Sequence, residues 1–162
     1  MFKKVLISAL SVLAILLTSV PSTDAFWSVC TNPSGVPGPE SVTSPNCGAT
    51  HCTVVRGEVM HADAVISSPH SHNELMVRGF VFLLGIGIPL PQIPPYDNGC
   101  NSLFTMDNVQ TSCPTTPNTR YIWRVAQEVP QETPAFQNAR VQFQIWDGNF
   151  IVGCVDLQAT VI

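Results

Sequence analysis

Few side chains in this sequence are suited to chemistry. The four histidines are His51, His61, His70 and His72. His70-Ser71-His72 offers two imidazoles to a metal, yet the run Ser67-Ser68-Pro69-His70-Ser71-His72-Asn73 has turn composition and reads as a solvated loop. Cys47 and Cys52, with His51 between them, have the shape of half a zinc site, but no second half-site of matching spacing follows. A disulfide is the expectation there. Gly85-Ile86-Gly87 lacks the third glycine, the helix and the lysine of a phosphate loop, and reads as a strand lying close to another backbone. Neither G-x-S-x-G nor H-E-x-x-H occurs, and the acids stand singly rather than as a pair for acid/base work. The expectation is no catalytic residue, no metal and no cofactor: not an enzyme.

The elements that would carry a non-catalytic function follow from composition. The 162 residues include 14 Pro, 10 Gly and 6 Cys, with only 11% charged and 45% hydrophobic. That is enough apolar surface to offset the ordering entropy of one domain. The formal net charge is −4, with no run of Lys or Arg. A counterion-displacing basic stripe is therefore missing, which argues against a nucleic-acid partner.

Lys3-Lys4, the apolar run Val5 to Leu17 and the small-x-small Thr23-Asp24-Ala25 read as a secretory signal peptide, residues 1–25, cut after Ala25. The run is too short for a membrane span. Residues 26–162 form the expected mature domain, with a formal charge of about −5 once Lys3, Lys4 and Asp24 are gone. The protein is expected outside the cell. Lysosomal delivery is the alternative destination, although no N-x-[ST] acceptor is present to aid it.

Cys30, Cys47, Cys52, Cys100, Cys113 and Cys154 are even in number, which in a small secreted chain implies three disulfides. Spacing leaves fifteen connectivities. Pairing Cys47 with Cys52 and Cys100 with Cys113 closes two short turn-rich segments and leaves Cys30 with Cys154. Between the cysteines the period is two. Thr53 to Ile66 alternates, with Met60, Ala62, Ala64 and Ile66 on one face and a bulge at Gly57. Val42 belongs to a short edge strand. Leu75 to Ile88 is a second, almost wholly apolar strand, ended by Pro89, Pro91, Pro94 and Pro95. Residues 96–119 read as irregular. Arg120–Val129, Ala139–Ile145 and Ile151–Val161 alternate again, and Asp147-Gly148 marks a hairpin. The expectation is an all-β chain: a sandwich of two antiparallel sheets, six or seven strands in all.

The cysteine neighbourhoods resemble the ML family, the MD-2-related lipid-recognition domain, and within it the Niemann-Pick type C2 sterol-transfer proteins and group 2 mite allergens. The resemblance rests on Pro45-Asn46-Cys47, Cys52, Arg56-Gly57-Glu58, Arg78-Gly79-Phe80, Pro89-Leu90-Pro91, Gly99-Cys100, Cys113-Pro114, Tyr121 and Cys154. It covers residues 26–162. It implies a seven-stranded immunoglobulin-like sandwich, the pairing Cys30–Cys154, Cys47–Cys52 and Cys100–Cys113, and one hydrophobic ligand between the sheets. The residues it implies for that pocket are Met60, Ala62, Ala64, Ile66, Phe80 and Phe82, with Trp123, Val141, Phe143, Val155 and Leu157 inside. Leu90 and Val129 would stand at the mouth, and Phe136 would replace the usual mouth tyrosine. Leu83 to Ile88 and the Cys100–Cys113 loop are longer than the family pattern, and both border that mouth.

The resulting expectation is a monomeric secreted carrier of a sterol, a fatty acid or another apolar small molecule, handing its cargo to a membrane or receptor. Two alternatives are recognition of microbial lipid for an immune receptor and carriage of semiochemicals. The former would need cations, and only Arg56, Arg78, Arg120, Arg124 and Arg140 remain in the mature chain.

Overall fold

The structure is a computed structural model that describes residues 25–91 and 97–162. The expected leader and Pro94-Pro95 lie outside the described residues, apart from Ala25. Two β-sheets face each other. One holds β1 (Trp27–Val29), β10 (Phe150–Val161), β9 (Phe136–Asp147), β5 (Met76–Leu83) and β6 (Ile86–Pro89) in that order, with β3 (Cys52–Val54) also paired to β10. The other runs β2 (Ser41–Thr43), β4 (Val59–Ser67), β8 (Arg120–Glu128), β7 (Leu103–Phe104). Pairing is antiparallel except for β3, which runs parallel to β10.

The alternating segments become strands because each can bury one face. Met60, Ala62 and Ala64 of β4, Tyr121, Trp123 and Val125 of β8, and Val141, Phe143 and Ile145 of β9 form the inner layers, with Val155, Leu157 and Ala159 of β10. Register ties these together. Ala64 lies opposite Trp123, Phe143 opposite Val155, and Val141 opposite both Val81 and Leu157.

Two expected strands divide. Thr53 to Ile66 is not continuous: β3 joins one sheet and β4 the other. Gly57 at φ +79° sits in the turn between them rather than in a bulge. A side chain is disfavoured at that angle. Leu75 to Ile88 folds on itself as β5 and β6, joined through Leu84 and Gly85, both at positive φ. Two consecutive positive φ values give the hairpin turn whose twist matches its strands. The register shifts lie elsewhere, in β10 between Ile151 and Gly153 and between Ala159 and Val161. The stretch expected to be irregular contains a short 3₁₀ turn, Gly99–Ser102, and β7.

The three disulfides are Cys30–Cys154, Cys47–Cys52 and Cys100–Cys113, the pairing the resemblance implies. The first spans 124 positions and ties the N-terminal segment to β10. That segment explains why the second face of β9 is not wet, as alternation alone suggests. Gln142 and Gln144 are buried, and Gln142 Nε2 donates to the carbonyl of Asn32 (3.0 Å) and to Asp156 Oδ1 (2.9 Å). Gln144 donates to Gln142, Trp146 donates to Gln144, and Arg140 reaches Asp156 at 3.4 Å. Each buried polar group is met by its neighbour, as burial requires.

Candidate functional site

A cavity opens between the sheets at the end where β4 finishes, β8 begins and the β9–β10 hairpin turns. Its cavity volume is about 50 Å³, and the crevices and open solvent around it bring the empty space to about 630 Å³. Its walls are Ala64 and Ile66 of β4, Tyr121 and Trp123 of β8, Phe143 and Ile145 of β9, and Val152 to Val155 of β10. Four consecutive β10 residues can share one wall because of the register shift between Ile151 and Gly153, which reverses the alternation there. Pro37-Gly38-Pro39 closes the side by bridging the layers: Cys154 N donates to the Pro37 carbonyl, and Glu40 N to that of Val65.

The rim is polar. Ser68, His72, Thr115 and Thr116 border it. His72 is buried, not solvated as its turn-like surroundings suggest, because the loop folds under the residues after Cys113. Its backbone N–H donates to Thr115 Oγ1, and its carbonyl accepts from Thr115 N. Its Nδ1 stands 2.7 Å from Asp147 Oδ2 and its Nε2 stands 2.7 Å from Ser68 Oγ. A carboxylate only accepts, so the proton on the neutral ring belongs on Nδ1, and Nε2 accepts from Ser68.

Sequence reasoning missed this serine–histidine–aspartate line. His72 and Asp147 are 75 positions apart, and only register across β5 and β9 brings their ends together. The line has the order of a hydrolytic relay, for which the strongest electrostatic contribution to acyl transfer is a pair of free N–H donors for the oxyanion. The N–H groups of His70, His72, Thr115, Thr116 and Asn118 are all engaged within the protein.

Of the residues the resemblance nominated, Ala64, Ile66, Trp123, Phe143 and Val155 line this cavity. Met60, Ala62, Val141 and Leu157 are buried between the same sheets, away from its walls. Val129 and Phe136 lie toward the opposite end, and Leu90 lies between, near Phe143. Leu90 fills the inner side of β5 at Gly79, where an added Cβ would stand 2.9 Å from it and 3.3 Å from Phe143. Val129 exchanges backbone hydrogen bonds with the Gly57–Glu58 turn, and Phe136 pairs with Val161. The space described here therefore opens at the other end from the expected mouth.

Phe80 and Phe82 are a correction. They pair with Gln142 and Arg140, the outer face of their sheet, while Val77, Gly79 and Val81 point inward. Arg140 stacks on Phe82 with its Cζ 4.0 Å from the ring centroid. In an almost wholly apolar strand, alternation gives no signal for which face is in, so only pairing decides. Beyond them the hairpin exposes Leu84 completely, together with Ile86 and Ile88.

The chain is thus a two-sheet immunoglobulin-like sandwich, pinned by disulfides and parted at one end over an apolar space. The family model described as the ML domain matches residues 24–161, and this chain belongs to that family. Among solved structures, it is similar to the crystal structure of a Niemann-Pick type C2 protein from the Japanese carpenter ant. The TM-score is 0.68 at 16% identity, covering 84% of this chain and 98% of that one. No curated protein matches.

Proposed function

We propose that the protein is a secreted, non-enzymatic carrier that holds one sterol or similar apolar lipid between its sheets, the mature domain being residues 26–162. The cavity carries this reading: its walls are aliphatic and aromatic and its polar groups are confined to one end. The cavity volume of about 50 Å³ admits part of a guest, so the sheets must part further to take a whole one; burying about 400 Å² of lipid surface then contributes roughly 10 kcal/mol. Association removes several kcal/mol of that, which leaves about micromolar binding or better with no ionic contact. Hand-off is to a membrane, and the uncharged hairpin tip Leu84–Ile88 supports this by offering exposed apolar side chains to a bilayer. The arginines argue against recognition of lipid phosphates. Arg120 pairs with Glu40, Arg124 with Asp63 and Arg140 with Asp156; Arg78 stacks on Trp146, and Arg56 donates to the Ile162 carbonyl.

The test is titration of delipidated protein with a fluorescent sterol, expected to saturate at one per chain. Phe143→Asp abolishes binding, with the fold checked by circular dichroism. If sterols, fatty acids and small volatile apolar compounds all fail to bind, the carrier reading is wrong. Mass spectrometry of co-purified material distinguishes a sterol carrier from a semiochemical carrier.

A further inference from the structure

Ser68, His72 and Asp147 tie one sheet to the other across the cavity rim. Ser68 directly follows β4, and Asp147 is the last residue of β9. His72 lies in the segment that crosses from β4 to β5, is 6% exposed, and borders the cavity together with Ser68. Toward β4 that segment is held by its backbone. Asn118 N donates to the Ser68 carbonyl at 2.7 Å, the His72 N–H to Thr115 Oγ1 at 2.9 Å, and Thr115 N to the His72 carbonyl at 3.0 Å. Thr115 and Asn118 lead into β8, the strand paired with β4. Toward β9 the segment is held by the histidine ring, whose Nδ1 stands 2.7 Å from Asp147 Oδ2 while Ser68 Oγ fixes the ring from behind, 2.7 Å from Nε2. Asp147 is one residue past Trp146, the last position of β9 paired with β5. Its own strand partner is Phe150 across the turn, which is 76% exposed.

The Pro37–Pro39 side of the cavity is fastened differently. Cys30–Cys154 anchors β10 there, Cys154 N donates to the Pro37 carbonyl, and Glu40 N donates to the Val65 carbonyl of the other sheet. A cavity volume of about 50 Å³ admits part of a guest, so one edge of it has to move. A side-chain hydrogen bond opens and recloses more readily than a disulfide flanked by backbone bonds. We propose, resting on the carrier reading, that Ser68, His72 and Asp147 form a latch on the cavity mouth: a guest enters and leaves when the His72–Asp147 bond breaks and the Asp147–Phe150 turn swings away. The carboxylate makes that bond stronger than one between neutral groups. Ser68 occupies Nε2 and so keeps the Nδ1 proton aimed at Asp147. The latch closes on the empty and the loaded protein alike, so it sets the rate of exchange and leaves the affinity unchanged.

The experiment is stopped-flow mixing of the purified protein with a fluorescent apolar probe, N-phenylnaphthylamine, at neutral pH, with dissociation followed after dilution. Asp147→Ala is expected to raise the association and dissociation rates together by about tenfold, the contribution of one hydrogen bond to a charged group, with Kd nearly unchanged. Asp147→Asn keeps an oxygen that accepts from Nδ1 and is expected to exchange the probe at close to the native rate. Ser68→Ala frees the ring and is expected to raise both rates by a smaller factor, about threefold. If circular dichroism shows that Asp147→Ala does not fold, the asparagine and Ser68→Ala variants decide the matter. Native exchange rates in the folded alanine variants, or an asparagine variant as fast as the alanine one, overturn the proposal. A weaker Kd at an unchanged association rate also overturns it, because the line would then be holding the guest rather than the mouth. If the native protein binds neither the probe nor a fluorescent sterol, the carrier reading fails instead, so the two failures are distinguishable.

Discussion

Ala64→Leu is the substitution that separates an open interior from a packed one. Ala64 is 4% exposed and faces the cavity; Ala159 is fully buried in the same core but lies outside the cavity walls. Both are strand residues, so the difference in strand propensity between Ala and Leu largely cancels in the comparison. Leucine adds three carbons. At Ala159 they must displace neighbours, and overpacking of that kind costs about 1–3 kcal/mol. At Ala64 they enter existing space and remove apolar surface from water, worth at most about 2 kcal/mol at roughly 0.8 per methylene. Ala64→Leu is therefore expected to be between neutral and about 2 kcal/mol more stable, and Ala159→Leu to be less stable. Urea unfolding at unchanged m reads the stability directly. The same Ala64 variant should bind a fluorescent sterol at least tenfold more weakly, because the guest loses the space the leucine fills. If Ala64→Leu destabilises as much as Ala159→Leu, or binds undiminished, the cavity is not where the ligand sits.

Replacing Cys30 and Cys154 together by serine opens the 124-position loop and is expected to cost about 5 kcal/mol in the chain-entropy account, read by urea unfolding of the two proteins. Asp156→Ala leaves the Gln142 amide and the Arg140 guanidinium without their shared acceptor; allowing for the partial exposure of Arg140, the loss is about 2–3 kcal/mol by the same measurement. Leu84 is a leucine held at φ +52° with its side chain in water, so Leu84→Asn should raise stability by up to about 1 kcal/mol while lowering co-sedimentation with phospholipid vesicles; unchanged sedimentation removes the hairpin from the hand-off. Ser68 should resist labelling by a fluorophosphonate probe, since the N–H groups of His70, His72, Thr115, Thr116 and Asn118 near it are already engaged and not free for an oxyanion; stoichiometric labelling would argue for a hydrolase instead.

The structure bears out much of what the residues announce. Alternation in Met60–Ile66, Tyr121–Val125 and Val141–Ile145 marks the inner faces because a strand exposes its sides with period two, whatever its partner. Six cysteines with these neighbours carry the family and the pairing. Where the pattern is silent, expectation fails in a particular way. Leu75 to Ile88 has no polar side, so alternation assigns no face there, and the resemblance places Phe80 and Phe82 in the pocket when their partners are Gln142 and Arg140. Gln142 and Gln144 look like surface residues until Asn32 of the N-terminal segment is laid across them.

By itself, then, the sequence determined the two-layer architecture, its covalent ties and the apolar character of the space between the layers. Those are properties of short segments and of residue type. Only the tertiary structure decided which end of the sandwich parts, that the Trp123 N–H is buried without a partner, and that Ser68, His72 and Asp147 meet at the rim. A cavity is a gap between surfaces distant in the chain, and its shape depends on how two sheets are spaced and bulged, which no local period records.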